Sequence, residues 1–504
     1  MTSSNEVQDV LDRLKSAQSR PLGDPRFRGL LGLEKSTFSQ SASPTSGLTF
    51  YDLELGAKFL YPVMTPLRNM IPRVSGKGGV QAAWRAITAV NASNLRFGVS
   101  AANRGGTLAV AMQDYTATYK SIGVETSVDF EEQFAGQGFD DVRAIAAKTG
   151  LEALMIGEEA MILGGCSSGI GATPTPTLAT EAAGGALAAQ SWSVICAALT
   201  LDGVMNGSVA GGVQGQISRV NADGSTDSFG GGVAMKSAAA AISTTGSASV
   251  VKASVTPVSG AMGYAWFWGA AGAEKLGAIT SINSVVIAAA ATGPQTAASL
   301  GGADNSANPL AFDGLIYQAL KPGSGATVYA MPTGTLGVGS KLTADSAGGV
   351  VEIDGVLRSM WENYRLSPDT MWVNAQEALS ISKCVVSAAS NSAQRFVFEA
   401  AHDLIGGGVM VRSYLNRFSM QGGNVIDIRV HPNMPAGSIL MTSKALPYPL
   451  AGVGNVMQIR ARQDYYQIEW PLRTRKYEFG VYSDQVLQNF FPPSMAMIVN
   501  IGSA

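Results

Sequence analysis

The clearest hydrophobic pattern lies in residues 107–165, where an alternating stretch runs directly into a helical one. In 107–128, apolar residues alternate with polar or small ones, which predicts a long return strand with one buried face. From Phe139 to Leu163 the apolar residues recur at helical spacing, after Gly138 as a helix N-cap and before Gly164-Gly165 as a stop signal. The pattern predicts a strand that leads into one long helix.

The predicted helix is apolar on two opposite sides, so it has to be covered on two sides. Its charges form one narrow stripe, at Asp141, Lys148, Glu152 and Glu159. Gly150 and Gly157 lie seven residues apart on nearly one line, where another backbone could come close and offset the cost of about 1 kcal/mol for each helical glycine. We therefore predict inter-subunit contact at these two glycines. A central helix in a large monomeric domain is the alternative, with equal weight.

Before this helix, the pattern predicts an extended arm followed by a hairpin. Residues 7–17 form a short amphipathic helix in this interpretation, and the following residues to 71 are rich in glycine, serine and proline, with aromatic anchors. Strand patterns at 78–90 and 107–128 flank a polar tip at 91–106. A two-stranded ribbon is marginal in water by itself, so we expect this hairpin to pack on a neighbour.

After the helix, the charge density falls sharply. Residues 166–312 hold 10 of the 72 charged residues and are rich in alanine, glycine, serine and threonine. Alternating Tyr264, Trp266 and Trp268, with short strand patterns on both sides, predict a small β-sandwich. Burial of these aromatic side chains in its core is favoured over carbohydrate binding.

The C-terminal part returns to compact helix and strand patterns. Helices are predicted at 353–361 and 376–385. Short strands are predicted at 371–373, 425–430, 438–441, 455–461, 476–482 and 495–501. Hairpin, helix, strands, helices and strands in this order predict an α+β fold.

Composition narrows the functional classes. The chain has 504 residues, a net charge of −2 and a pI near 5.9, which argues against a global basic field for nucleic-acid binding. Three scattered cysteines and two histidines predict no disulfide framework and no metal site. The polar N-terminus and the lack of long apolar runs predict no signal peptide and no membrane span.

The candidate chemistry is weak, and we predict a protein without catalytic residues, cofactor or metal. Residues 165–169 match the GxSxG pattern of serine hydrolases, but they follow a helix instead of a strand. The adjacent acids Glu158 and Glu159 are interpreted as part of a solvated helix face. Arg460 and Arg462 share a strand face, and we predict that they pair with carboxylates of another subunit; DNA phosphates are the alternative.

In this order of elements the chain resembles the major capsid proteins of tailed bacteriophages, which have the HK97 fold. The resemblance is carried by the arm, the hairpin, the strand–helix unit 119–163, and three later segments: 354–377, 425–429 and 476–481. It divides the chain into an N-terminal arm (1–72), an E-loop hairpin (73–128), a P-domain with the spine helix (129–187), an inserted Ig-like or fibronectin-III-like domain (188–308), an A-domain (309–445) and P-domain return strands (446–504).

The resemblance implies a structural protein that assembles as hexamers and pentamers into an icosahedral shell around double-stranded DNA. It implies further partners in scaffolding, portal and decoration proteins, weak non-specific contact with packaged DNA, no membrane, and a place in the virion after assembly in the host cytoplasm. An encapsulin-like compartment shell is the main alternative. A secreted Ig-like adhesin would account for the sandwich but not for the absence of a signal peptide.

Overall fold

The computed structural model describes residues 60–61, 63–90, 101–102, 104, 109–136, 140–388, 410–420, 423–448 and 451–503. The predicted helix at 7–17, most of the arm and hairpin tip, Gly138 and His402 lie outside the described residues.

The described residues form seven α-helices and 21 strands. The helices are α1 (Pro66–Met70), α2 (Phe130–Ala135), α3 (Val142–Gly164), α4 (Leu201–Asn206), α5 (Leu315–Leu320), α6 (Val351–Tyr364) and α7 (Ala375–Ala388). The strands up to the end of the low-charge segment are β1 (Arg73–Ser75), β2 (Gln81–Val90), β3 (Val110–Thr118), β4 (Lys120–Asp129), β5 (Thr177–Glu181), β6 (Ser191–Leu199), β7 (Gln216–Val220), β8 (Thr226–Gly230), β9 (Ala240–Ser243), β10 (Val250–Ser254), β11 (Gly263–Gly269), β12 (Lys275–Thr280) and β13 (Ser284–Ile287). The later strands are β14 (Thr327–Ala330), β15 (Thr370–Val373), β16 (Ser413–Asn416), β17 (Asn424–Val430), β18 (Ile439–Thr442), β19 (Met457–Glu469), β20 (Lys476–Asn489) and β21 (Met495–Val499).

A four-stranded sheet in the order β1-β19-β20-β4 supports the long helix α3. β1 runs parallel to β19, and the other pairs are antiparallel. Alternation along β4 turns Ile122 and Val128 inward, as predicted, where they pack with the residues of α3 and β20. The predicted α+β class is confirmed, and this strand–helix unit is its centre.

The long helix is α3, of 23 residues, and it begins three residues later than the predicted start at Phe139. Its N-cap is Asp141, whose side chain accepts hydrogen bonds from the backbone of Arg143 and Ala144. A carboxylate is well suited to this end because it accepts from free amides and faces the positive end of the helix dipole. The helix ends at Gly164, with Gly165 as its C-cap, close to the predicted stop.

The predicted return strand 107–128 is two strands, not one. β3 pairs with β2 in the hairpin, whereas β4 pairs with β20 in the central sheet. Tyr119 separates them: it is buried, and its backbone N–H donates to the carbonyl of Val80. Period-two alternation continues through this break, so the sequence pattern could not reveal the change of partner.

A six-stranded sheet in the order β14-β21-β18-β15-β17-β16 forms the second core, together with α6 and α7. β21 lies inside this sheet, between β14 and β18. Within 446–504, predicted to hold P-domain return strands, β19 and β20 thus pair in the four-stranded sheet, whereas β21 pairs in the six-stranded one. Short apolar strands of this kind do not reveal their neighbours, because the pairing is non-local.

The low-charge segment contains two facing antiparallel sheets, β13-β10-β5 and β12-β11-β6-β9. Tyr264, Trp266 and Trp268 are buried between them, which favours the core interpretation over carbohydrate binding. The predicted lower boundary at 188 is wrong, because β5 already belongs to this sandwich. The segment leaves and rejoins the body at neighbouring points, since the backbone N–H of Asn308 donates to the carbonyl of Cys166 at 2.8 Å.

Candidate inter-subunit surface

The hairpin β2–β3 is a separate two-stranded sheet whose base rests on the body of the chain. Trp84 is its anchor: its ring stacks on Tyr115 of the partner strand and meets Phe490 edge-on, with centroids 5.7 Å apart. Ala82 is buried beside it. One face of the proximal half of the ribbon is therefore covered within the chain.

The opposite face of the ribbon is open, and its far half is apolar. Ile87 lies opposite Met112, and Val90 lies opposite Val110, so that all four side chains point to one side. Ile87 is 65% exposed and Met112 is 58% exposed. The ion pair between Arg85 and Asp114 lies on the same face and is exposed to solvent. This set of four side chains, here called the hairpin patch, has no cover among the described residues.

Gly150 lies on the side of α3 that packs against the sheet of its own subunit. The glycine is buried against its own sheet, and a Cβ built on it would lie 3.1 Å from Cγ2 of Thr126 and 3.9 Å from Cγ2 of Val481. The close approach predicted at this position is thus an approach of α3 to β4 and β20 of the same chain. Gly150 therefore packs the subunit internally, and an inter-subunit role for it stays a prediction.

Gly157 is the glycine of α3 that faces outward. A Cβ built on it meets no atom within 4 Å. It borders a groove of about 250 Å³ between α3 and α4, with Ala153, Ala160 and Leu201 among the lining residues. Gly157 remains a candidate for contact with another subunit.

The two predicted arginines differ in their surroundings. Arg462 donates to Asp484 of its own chain at 2.7 Å, and Asp484 also accepts from the hydroxyl of Ser121. These bonds hold the pKa of the Asp484 carboxyl below its ordinary value, although burial acts in the opposite direction. Arg460 lies two residues earlier on β19, before the register shift that follows Ala461, and its Nε is buried without a partner among the described residues. Because an arginine side chain has five N–H donors, the inter-subunit pairing of Arg460 and Arg462 stays a prediction.

Glu158 and Glu159 are fully buried, so the interpretation as a solvated helix face is wrong. Glu158 binds Arg68 and Arg73, and Glu159 binds two backbone amides and His431. One sequence signal could have indicated this: Glu158 continues the i+4 line of Ala146, Gly150 and Leu154, all of which are buried.

The GxSxG segment forms a turn whose hydroxyl is already engaged. The Oγ of Ser167 donates to Asp313 at 2.6 Å, and burial raises the pKa of the Cys166 thiol to about 12, which keeps it protonated. The described histidine, His431, is bound to Glu159 instead. Within the described ranges there is no group of three potential metal ligands, and no helix is long and apolar enough to cross a membrane. The segment lacks the geometry of a nucleophile elbow.

No family model matches the chain, and no curated protein matches it. Among solved structures, the chain is similar to the capsid of a native GTA particle, with 8% identity, a TM-score of 0.41 and coverage of 92% of this chain and 99% of that one. It is also similar to the capsid of Myoviridae phage XM1 (8% identity, TM-score 0.38, coverage 89% and 95%) and to the holo-SrpI encapsulin complex from Synechococcus elongatus PCC 7942 (8% identity, TM-score 0.35, coverage 88% and 93%). With TM-scores below 0.5, the function is argued from the surfaces of this chain.

Proposed function

We propose that this chain is the structural major capsid protein of a tailed bacteriophage, which assembles as hexamers and pentamers into an icosahedral shell around double-stranded DNA. The observation that carries the proposal is the hairpin patch. A two-stranded ribbon is marginal in water by itself, and this one exposes four apolar side chains at its far half. In a self-assembling shell, a second copy of the same chain supplies the surface that covers this patch.

The order of elements supports the proposal. The hairpin precedes the helix α3, which lies on the sheet that also receives β19 and β20, and a separate six-stranded sheet follows. This order of elements resembles that of the HK97-fold capsid proteins. The proposed arm spans 1–72, the A-domain 309–445 and the return strands 446–504, as in the division made from the sequence. The structure adds β5 to the sandwich and places β21 in the six-stranded sheet.

The low-charge sandwich is proposed to be an outward-facing module. Its two ends meet at Cys166 and Asn308, so the body can close without it at low cost in loop entropy. It is not free of the body, because Asn283 bonds with Asn500 and Thr333. A deletion should therefore remove 167–307 and not 188–308, which would leave β5 without its sheet.

Further partners are proposed on the same basis. Scaffolding and portal proteins would guide closure of the shell, decoration proteins would bind outside it, and packaged DNA would touch it weakly, consistent with the net charge of −2. The proposed location is the virion, after assembly in the host cytoplasm. Arg460 and Arg462 are proposed to meet carboxylates of a neighbouring subunit, since an arginine side chain has five N–H donors and the bonds of Arg462 to Gly79 and Asp484 use only two of them.

Electron microscopy of the purified full-length chain tests the proposal. The expected result is closed shells with rings of five and six subunits. A monomer or a small closed oligomer at all concentrations would contradict it. For particles recovered from their natural source, nuclease-protected double-stranded DNA supports the capsid function, whereas a co-purified cargo enzyme would show a compartment shell.

A further inference from the structure

The groove between α3 and α4, here called the α3–α4 groove, has a floor of small residues. Its volume is about 250 Å³, and its lining includes Ala153, Gly157 and Ala160 of α3 and Leu201 and Met205 of α4. A Cβ built on Gly157 meets no atom within 4 Å, so no contact among the described residues requires a glycine there. A glycine inside a helix costs about 1 kcal/mol relative to alanine, and a second surface that approaches closely from outside would offset that cost.

One charged side chain, that of Asp202 in α4, lines the α3–α4 groove. Its Oδ1 accepts from Nδ2 of Asn206 at 2.7 Å. Burial raises the pKa of the Asp202 carboxyl, the bond from Asn206 lowers it, and no arginine or lysine among the described residues takes part. A carboxylate that is partly removed from water without a cation beside it is costly, so this groove favours a partner that brings positive charge.

The hairpin β2–β3 has the properties that this groove lacks. The hairpin patch is apolar and exposed, and no described residue covers it. The charged residues of the described part of the hairpin are Arg85, Arg104 and Asp114, which sum to a charge of +1, against −1 from Asp202 in the groove. The hairpin of a second copy would therefore bring both apolar surface and the opposite charge to the α3–α4 groove.

Two ways of covering the hairpin patch with a second copy differ in what they leave open. A contact between two hairpin patches is isologous: it closes a pair of chains and leaves both α3–α4 grooves empty. A hairpin patch in the groove of the next copy joins two different surfaces, so each end of the pair keeps one free patch or one free groove. Such a heterologous contact can be repeated around a ring, as a shell built from rings requires.

We propose that the hairpin patch of one copy lies in the α3–α4 groove of the next copy, over Gly157, with the positive charge of the hairpin directed to Asp202. The ribbon presents its apolar side chains in pairs across the two strands, and the small residues of α3 let such a flat face come close. This inference rests on the proposed shell function and names the surface that the hairpin patch meets in the shell.

Disulfide trapping in shells of the full-length chain tests the contact. Met112→Cys and Ala160→Cys are placed in the same chain, together with Cys166→Ser, because the native thiol at that position also lines the groove. After mild oxidation, each disulfide should join residue 112 of one copy to residue 160 of the next. A denaturing gel without reductant should then show loss of the single-chain band and a ladder of linked chains larger than dimers, which a reductant removes.

Val220→Cys with Ala160→Cys is the matched control and should remain single chains. Linked dimers from Met112→Cys alone, with nothing larger from the pair, would show that two patches meet and would overturn the inference. Normal shells of the paired variant without a ladder would also overturn it, while leaving the shell function intact.

A second measurement decides the matter if the paired variant does not assemble. With Cys166→Ser, the thiol of Ala160→Cys should react with a maleimide at least about tenfold more slowly in shells than in the unassembled chain, as expected for a contact that excludes water. Equal reactivity in both states would overturn the inference. If the unaltered chain forms no shells at all, the proposed function itself fails.

Discussion

Two two-stranded ribbons lie apart from the larger sheets, and they differ in how much apolar surface they expose to water. β7–β8 is closed by polar contacts of its own: Arg219 binds Asp227 across the strands, and Asn221 binds Ser225 across the turn. Val220 is its exposed large apolar residue. β2–β3 has one exposed ion pair and four exposed apolar side chains. The first ribbon makes its polar contacts within one chain, whereas the second leaves its hairpin patch uncovered among the described residues.

The largest expected effect comes from placing charges in the hairpin patch. The double variant I87D/M112D should fold but lose shell assembly, because an unpaired carboxylate in a buried contact costs several kcal/mol. Sedimentation and electron microscopy measure this, and circular dichroism checks the fold. V220D is the matched control on the other ribbon and should assemble normally; equal loss in both variants would remove the distinction between the ribbons.

The comparison extends to the interior, where the carboxyl group of Glu377 has one oxygen without a hydrogen-bond partner among the described residues. Glu377 is fully buried; one oxygen accepts from the backbone of Gly437 at 2.8 Å, and the other has no partner among the described residues. Burial raises the pKa of Glu377 to about 7. Because the folded-state pKa lies above the unfolded value, the stability that this group contributes is present in full below pH 4.5 and is lost as pH rises through about 7.

The loss should reach up to about 3 kcal/mol, which follows from about 1.4 kcal/mol per pK unit. Denaturant unfolding of the unassembled chain between pH 4.5 and 8 measures it. E377Q, which is neutral at every pH, should show a flatter dependence. An unchanged slope in E377Q would mean that Glu377 is not the group responsible.

Two glycines of α3, Gly150 and Gly157, distinguish a contact closed within the subunit from a position that is open. Gly150→Leu should destabilise the subunit by about 1–3 kcal/mol, because the new side chain is forced into Thr126 and Val481. Gly157→Leu should leave the unfolding midpoint nearly unchanged, since the groove beside it is open, and should reduce assembly instead. Thermal unfolding together with sedimentation separates the two effects. Normal shells from Gly157→Leu would remove that position from the proposed interface.

The smallest effect is expected in the ribbon β7–β8. Arg219→Ala should change stability by less than about 1 kcal/mol and leave assembly intact, as exposed ion pairs contribute little. The same substitution at Arg85 is the matched variant on β2. A larger effect on assembly from Arg85→Ala would show that its ion pair takes part in the contact made by the hairpin patch.

Local elements were predictable because their patterns are local. The helix α3, the inward face of β4 and the buried aromatic residues of β11 follow from period 3.6 and period 2 alone. The burial of Glu158 and Glu159 was missed because their partners Arg73 and His431 are 85 and 272 residues away. The pairing of β21 with β14 and β18 could not be predicted for the same reason. The patterns give the elements, whereas pairing between distant elements decides which charges are buried.

Thiol labelling at the hairpin patch tests the central claim most directly. Ile87→Cys and Val220→Cys introduce one exposed thiol on each ribbon, against native cysteines that are buried or half-buried. In the unassembled chain both should react rapidly with a maleimide. In shells, residue 87 should be protected at least about tenfold while residue 220 stays reactive, as expected for a contact that excludes water. Equal labelling of both positions in intact shells would contradict the account.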